Sequence, residues 1–175
     1  SHEDLIAFRD GRRYVARLTE RKDLRLPAAP VFRFDGSYLI TGGFGALGLL
    51  AAKWLAERGA RHLILMGRQA LPERHTWNGI GSDHPMADRI KAVQELERLG
   101  ATVHAAAVNV NDERSLAAYI NAYRQENWPE IRGIVHSAGA ALPQILLQVQ
   151  RKEFSRVMEP KTIGARNLHK QFEHH

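Results

Sequence analysis

Between Ser37 and Ala60 the chain runs from an apolar stretch, "SYLIT", through glycines at every third position, Gly42, Gly45 and Gly48, into the helical spacing of "LLAAKWLAERGA". Few folds accept that order. A strand must end, the backbone must turn where side chains are excluded, and a helix must start at once. Leu47, Leu50, Ala51, Trp54 and Leu55 recur at helical intervals, and Gly59 follows as a C-terminal cap.

The rest of the chain repeats the alternation. "HLILM" is a continuous apolar run suited to a strand covered on both faces, and Met86, Ile90, Val93 and Leu96 mark a helix stopped by Gly100. "ATVHAAAVNV" forms a third strand, Asn111 caps a helix carrying Ile120 and Tyr123, and "IRGIVHSAG" forms a fourth. A further helix around Phe154–Met158 leads into "PKTIGARNLHKQFE", where Ile163 and Leu168 can face a core. This is the pattern of an α/β protein with a Rossmann-type, doubly wound parallel sheet. "QALPERHTWNGIGSDHP" is polar, broken by Gly and Pro, and reads as a surface excursion.

The first 35 residues differ. Asp10-Gly11 separates two strand-like segments, predicting a hairpin over Leu5–Leu18, and "TERKDLRLPAAPVFRFDG" reads as an extended linker. The expected organisation is residues 1–35 as hairpin and linker and residues 36–175 as the Rossmann unit. The fourth strand would lie at an open edge, an arrangement that favours association.

Composition narrows the function. There are no cysteines, which excludes disulfides and thiolate chemistry, and no apolar run long enough to cross a bilayer. The nine histidines are scattered without ligand spacing, with His174 and His175 terminal, so no metal is expected. A net charge of +6 is interleaved with acids, which argues for a basic surface suited to a phosphorylated ligand rather than a nucleic acid. A soluble, cytoplasmic protein without a membrane partner is the expectation.

The loop Thr41-Gly42-Gly43-Phe44-Gly45-Ala46-Leu47-Gly48 would let a pyrophosphate approach backbone N–H groups at the positive end of a helix. The end of the second strand chooses the dinucleotide. An acidic residue there suits a ribose 2′-hydroxyl, whereas "LILMGRQ" offers Arg68, which can pair with a 2′-phosphate, so NADPH is favoured over NADH.

These residues carry a resemblance. "YLITGGFGALG", "WLAERGARHLILMGR", "IRGIVHSAGA", "FSRVMEPKTIGARNLH" and the opening "RDGRRYVARL" together resemble the ketoreductase domain of a modular polyketide synthase, a member of the short-chain dehydrogenase/reductase superfamily. The resemblance makes the opening the end of a structural subdomain. It assigns Gly42, Gly43, Gly45 and Gly48 to the dinucleotide loop and Arg68 to the 2′-phosphate. Asn109, followed by Val110, stands where the family has an aspartate that contacts adenine, and the stretch His136, Ser137, Ala138 and Gly139 passes under the cofactor. Lys161 matches the catalytic lysine, which orients a tyrosine proton donor. The family's serine, tyrosine and asparagine are expected after a fifth strand, beyond residue 175, and Tyr119 and Tyr123 are packing residues.

The implied activity is NADPH-dependent reduction of a β-ketoacyl thioester on an acyl carrier protein, inside a multidomain synthase. These residues alone would be inactive. "AALPQILLQ" lacks the Leu-Asp-Asp marker of one hydroxyl configuration, which leans toward the other. A reductase-like structural module of a synthase, and a short-chain dehydrogenase acting on a free small molecule, remain open alternatives.

Overall fold

The computed structural model describes residues 3–20, 30–141, 143 and 145–173. It divides into two units, one ending at Pro30 and one beginning at Val31.

In the first unit, β1 (Ile6–Arg9) and β2 (Arg12–Val15) pair antiparallel with Arg9 opposite Arg12. Asp10 and Gly11 both take positive φ, 49° and 71°, as a primed two-residue turn requires. The linker residues 21–29 lie outside the described residues. Val31–Gly36 belongs to the second unit, five residues earlier than the expected boundary. The reason is packing: the Phe32 N–H donates to the Arg58 carbonyl at 3.1 Å, and the Phe32 ring meets Tyr38 and Trp54 edge-on.

The second unit is a four-stranded parallel sheet in the order β5-β4-β3-β6, with β3 at Ser37–Thr41, β4 at His62–Gly67, β5 at Thr102–Ala107 and β6 at Ile131–His136. The period of two splits the central strands between two cores. Tyr38, Ile40, Leu63 and Leu65 pack against α1 (Ala46–Glu57) and α2 (Ala87–Arg98). Leu39, Ile64 and Met66 pack against α3 (Glu113–Gln125) and Leu168. With both faces covered, every residue of β3 is buried. β6 is an edge strand, and Ile134 on it is exposed. Among the described residues no helix is long and apolar enough to cross a membrane.

Several local details differ from the sequence expectation. On α1 the buried side is Gly48, Ala52, Leu55 and Ala56, while Leu47 and Leu50 face outward. Small residues let the helix axis come close to the sheet. The polar excursion after β4 buries Trp77 in a short 3₁₀ turn, Arg74–Gly79, where its indole donates to the Pro72 carbonyl at 2.9 Å and Arg74 lies over its ring. Asp112, not Asn111, caps α3, accepting the N–H groups of Arg114 and Ser115 at 3.0 and 3.1 Å.

After β6 the chain forms α4 (Arg151–Glu159), one π turn (Pro160–Gly164) and α5 (Ala165–Phe172). Leu168 is buried as expected, but Ile163 is exposed. The buried Asn167 donates its Nδ2–H to the Val110 carbonyl at 3.0 Å, which ties α5 to the segment after β5.

At the far end of the sheet His104 packs edge-on against Tyr123 and Trp128, and its Nε2 is buried without a hydrogen-bond partner. Burial, and then the neighbouring His62, lower its pKa below the ordinary histidine value. The native state therefore binds fewer protons than the unfolded chain, so the His104 contribution is present above about pH 6.5 and is lost as pH falls below it. Replacing His104 with Phe should flatten the acid limb of a plot of unfolding free energy against pH. An unchanged limb would show that His104 does not set it.

Candidate nucleotide-binding site

The site begins where β3 runs out of side chains. Gly42 has φ 64°, and a Cβ on it would lie 2.7 Å from the Ser137 carbonyl oxygen and 2.8 Å from the Ala138 nitrogen. A Cβ on Gly43 would meet the Ile40 carbonyl at 2.8 Å, and the Gly43 N–H donates to the Met66 carbonyl at 3.1 Å. Gly48, in the first turn of α1, comes closer still: its Cβ would lie 2.3 Å from the Gly42 carbonyl oxygen. The glycines thus fold the turn back onto its own helix and onto the end of β6.

Gly45 occupies the N-cap of α1 with extended backbone; no side chain caps the helix, and its first turn holds no acid. Its N-terminal N–H groups and the positive end of the helix dipole are left for an anion. Ala46 and Leu47 open the helix, and Leu47 points outward. Phe44 packs toward the core on the α1–α2 side of the sheet.

Above this turn a cleft of about 520 Å³ runs along the carboxyl ends of the strands, at the switch where β3 has β4 on one side and β6 on the other. Its walls bring together Thr41, Gly42 and Gly45 from β3 and its turn, Arg68 after β4, Asn109 and Val110 after β5, and Ser137, Ala138 and Gly139 after β6. Gly43, Phe44, Ala46, Leu47, Gly48 and Lys161 are not on that wall. The adjoining residue Pro160 is, with Arg156 and Glu159. Lys161 itself lies exposed in the π turn.

The polar contacts around the cleft are few. The Asn109 Oδ1 accepts the Asn111 N–H at 3.2 Å, closing a small turn. Ser137 donates its hydroxyl to the Thr41 carbonyl at 2.7 Å, which leaves the small Ala138 and Gly139 toward the open space. Tyr119 and Tyr123 lie elsewhere, in the core between the sheet and α3, where the Tyr123 hydroxyl pairs with Ser37 at 2.8 Å.

Two residues hold the site together, one that sequence reasoning missed and one that it placed only in the stretch under the cofactor. One is Asn167, described above. The other is His136, whose Nε2–H donates to the Pro160 carbonyl at 2.8 Å, so its bare Nδ1 accepts the Thr41 hydroxyl at 2.6 Å. Thr41 Oγ1 in turn accepts the Ala138 N–H at 3.3 Å. The Pro160 carbonyl and the Lys161 N–H share one planar peptide group, so this ring orients the backbone of Lys161 from the end of β3. A histidine at a strand end was visible in the sequence. Its partner, far along the chain, was not.

Comparison with known proteins identifies the arrangement. A family model described as the KR domain matches residues 36–175. The chain belongs to this ketoreductase domain family. It is 38% identical over 178 aligned residues to a 6-methylsalicylic acid synthase of Arthrobotrys oligospora, covering 97% of this chain and 10% of that protein. It is 42% identical over 140 residues to a phenolphthiocerol/phthiocerol polyketide synthase chain of Mycobacterium tuberculosis, covering 80% of this chain and 8% of that one. Among solved structures, an A1-type ketoreductase matches with TM-score 0.72 and 31% identity over 98% of this chain and 33% of its own. An N-terminal ketoreductase from the macrolactin assembly line matches with TM-score 0.71 and 27% identity over 93% of this chain and 29% of its own. The chain therefore spans about a tenth of these synthases and about a third of these ketoreductase structures.

In this ketoreductase fold the glycines are not equivalent. Gly48→Ala brings a methyl against backbone, and the expected cost of about 1–3 kcal/mol or more exceeds the roughly 1 kcal/mol that alanine gains over glycine within a helix. Around Gly139 a Cβ meets nothing within 4 Å. Thermal melts should show a clear loss for Gly48→Ala and almost none for Gly139→Ala; equal effects would contradict the close approach of α1 to the turn.

Proposed function

We propose that these residues form the NADPH-binding part of a reductase that acts on a β-ketoacyl thioester carried by an acyl carrier protein. The observation that carries the proposal is the cleft at the β3/β6 switch, floored by glycines that exclude side chains and bounded after β4 by Arg68 with no acid in that position. The fit to a dinucleotide is chemical: an uncapped helix start for a pyrophosphate, a guanidinium for a 2′-phosphate, and small residues where a ribose and nicotinamide need room.

Each residue then has a task. Gly42, Gly43, Gly45 and Gly48 shape the turn, and the backbone around Ala46 and Leu47 offers N–H donors. Asn109 and Val110 border the adenine end, while Ser137, Ala138 and Gly139 border the nicotinamide end. Bound NADPH supplies the hydride for the β-carbonyl. Lys161 orients the group that gives the proton and helps to replenish it, and His136 holds the peptide on which Lys161 sits. Membership of the ketoreductase domain family and relatives that are large synthases support a carrier-bound substrate and neighbouring domains as partners.

Asn109 favours a second reading, a reductase-like module without catalysis. Its amide lacks the charge of a carboxylate, and its Oδ1 already accepts the Asn111 N–H. Full-length protein supplied with NADPH and a β-ketoacyl thioester should oxidise NADPH; a folded protein that binds the nucleotide without turnover would favour the second reading.

The cofactor choice has its own test. In full-length protein Arg68→Ala removes a charge-assisted contact worth about 1.5–3 kcal/mol, so NADPH affinity should fall roughly 10- to 150-fold with little change for NADH. Equal losses for both nucleotides in equilibrium titrations would remove Arg68 from this role.

A further inference from the structure

Beside the main cleft a recess opens between the glycine turn and α2, lined by Phe44, Gly45, Arg68, Gln69 and Arg89 among others. Among the described residues no carboxylate lines it. Arg89 reaches it because Ala87, Ile90 and Val93 seat the other side of α2 in the core. One guanidinium nitrogen of Arg89 donates to the Gln69 Oε1 at 2.9 Å and lies 3.4 Å from the Met86 sulfur, and the guanidinium carbon stands 5.8 Å from the centre of the Phe44 ring. These contacts are neutral. They hold the side chain in place, and no carboxylate among the described residues lining the recess offsets its charge.

Three other arginines meet carboxylates instead. Arg33 is paired with Asp35, Arg74 with Glu97 and Arg132 with Glu130, each within salt-bridge distance. An arginine that is steered by an amide and an aromatic ring into an acid-free recess, beside a second arginine, is arranged for an anion from outside. A phosphate monoester carries about −1.5 to −2 charges near neutral pH and offers three acceptor oxygens, enough for two guanidinium groups at once.

We propose that Arg89 is a specificity-determining residue that acts with Arg68 as a two-guanidinium clamp on the 2′-phosphate of the nucleotide. This rests on the NADPH reading above and adds to it a residue from α2, outside the glycine-loop and strand-end motifs. The clamp selects in two ways. A 2′-phosphate satisfies both cations, whereas a 2′-hydroxyl leaves two like charges lining one acid-free recess without a counter-charge, which disfavours NADH. Gln69 serves as the arm that keeps Arg89 turned toward the recess.

The test is equilibrium titration of full-length protein, free of any turnover, with NADPH, NADH, adenosine 2′,5′-bisphosphate and adenosine 5′-monophosphate as probes. Arg89→Gln keeps side-chain length and removes charge, Arg89→Lys keeps charge and removes the fork, and Arg68→Ala serves as reference. The expected result for Arg89→Gln is a loss of about tenfold or more for the two 2′-phosphorylated probes and less than about twofold for the other two, with Arg89→Lys between Arg89→Gln and the unmodified protein. Selectivity lost in Arg68→Ala but kept in both Arg89 variants would overturn the clamp while leaving the NADPH reading intact. Selectivity unchanged in all three variants would overturn both.

Discussion

The cleft of the second unit depends on the contact between the Gly42 carbonyl and the bare Cα of Gly48, where a side-chain carbon would come within 2.3 Å of the oxygen. That contact lets α1 start directly beneath the end of β3 and puts its N-cap, Gly45, on the cleft wall. A second close approach, of Gly42 to Ser137 and Ala138, draws in the end of β6 from the other side. The cleft at the switch between β3 and β6 is the space that these two approaches leave.

The same neighbourhood reaches the α4–α5 segment through side chains. Thr41 ends β3, donates to His136 at the end of β6, and His136 donates to the carbonyl before Lys161. The π turn at Pro160–Gly164 also presses on the segment after β5, since a Cβ at Gly164 would lie 2.9 Å from Val110, and Asn167 bonds the Val110 carbonyl. The glycine turn, the Asn109–Val110 wall and Lys161 are therefore parts of one connected set. A change at any of them is expected to be felt at the others.

Much of this was legible in the sequence because it is written in short-range patterns. The glycine spacing, the apolar runs of β3 and β4 and the Asp10-Gly11 turn each carry their own local physical reason, and the resemblance to ketoreductases joined them in the right order. What failed to show was set by tertiary contact. The large residues Leu47 and Leu50 mark a helix but not its inner face, because α1 approaches the sheet through Gly48, Ala52 and Ala56. Trp77 sits in a polar run and is buried by what lies beneath it. Asn111 reads as the cap of α3 in the sequence, and only geometry shows that its neighbour Asp112 receives the two N–H groups. Arg89 and His136 take their meaning from partners on other elements, for which no spacing rule exists.

As proposed, the glycine turn and the end of β6 form one nucleotide site. The most direct measurement is a titration of isotopically labelled protein with NADPH, followed through backbone amide resonances. Saturable shifts are expected at Gly42–Gly48, Arg68 and Ser137–Gly139, with little change around His104. Shifts that gather elsewhere, or no saturable response in protein that is demonstrably folded, would contradict it.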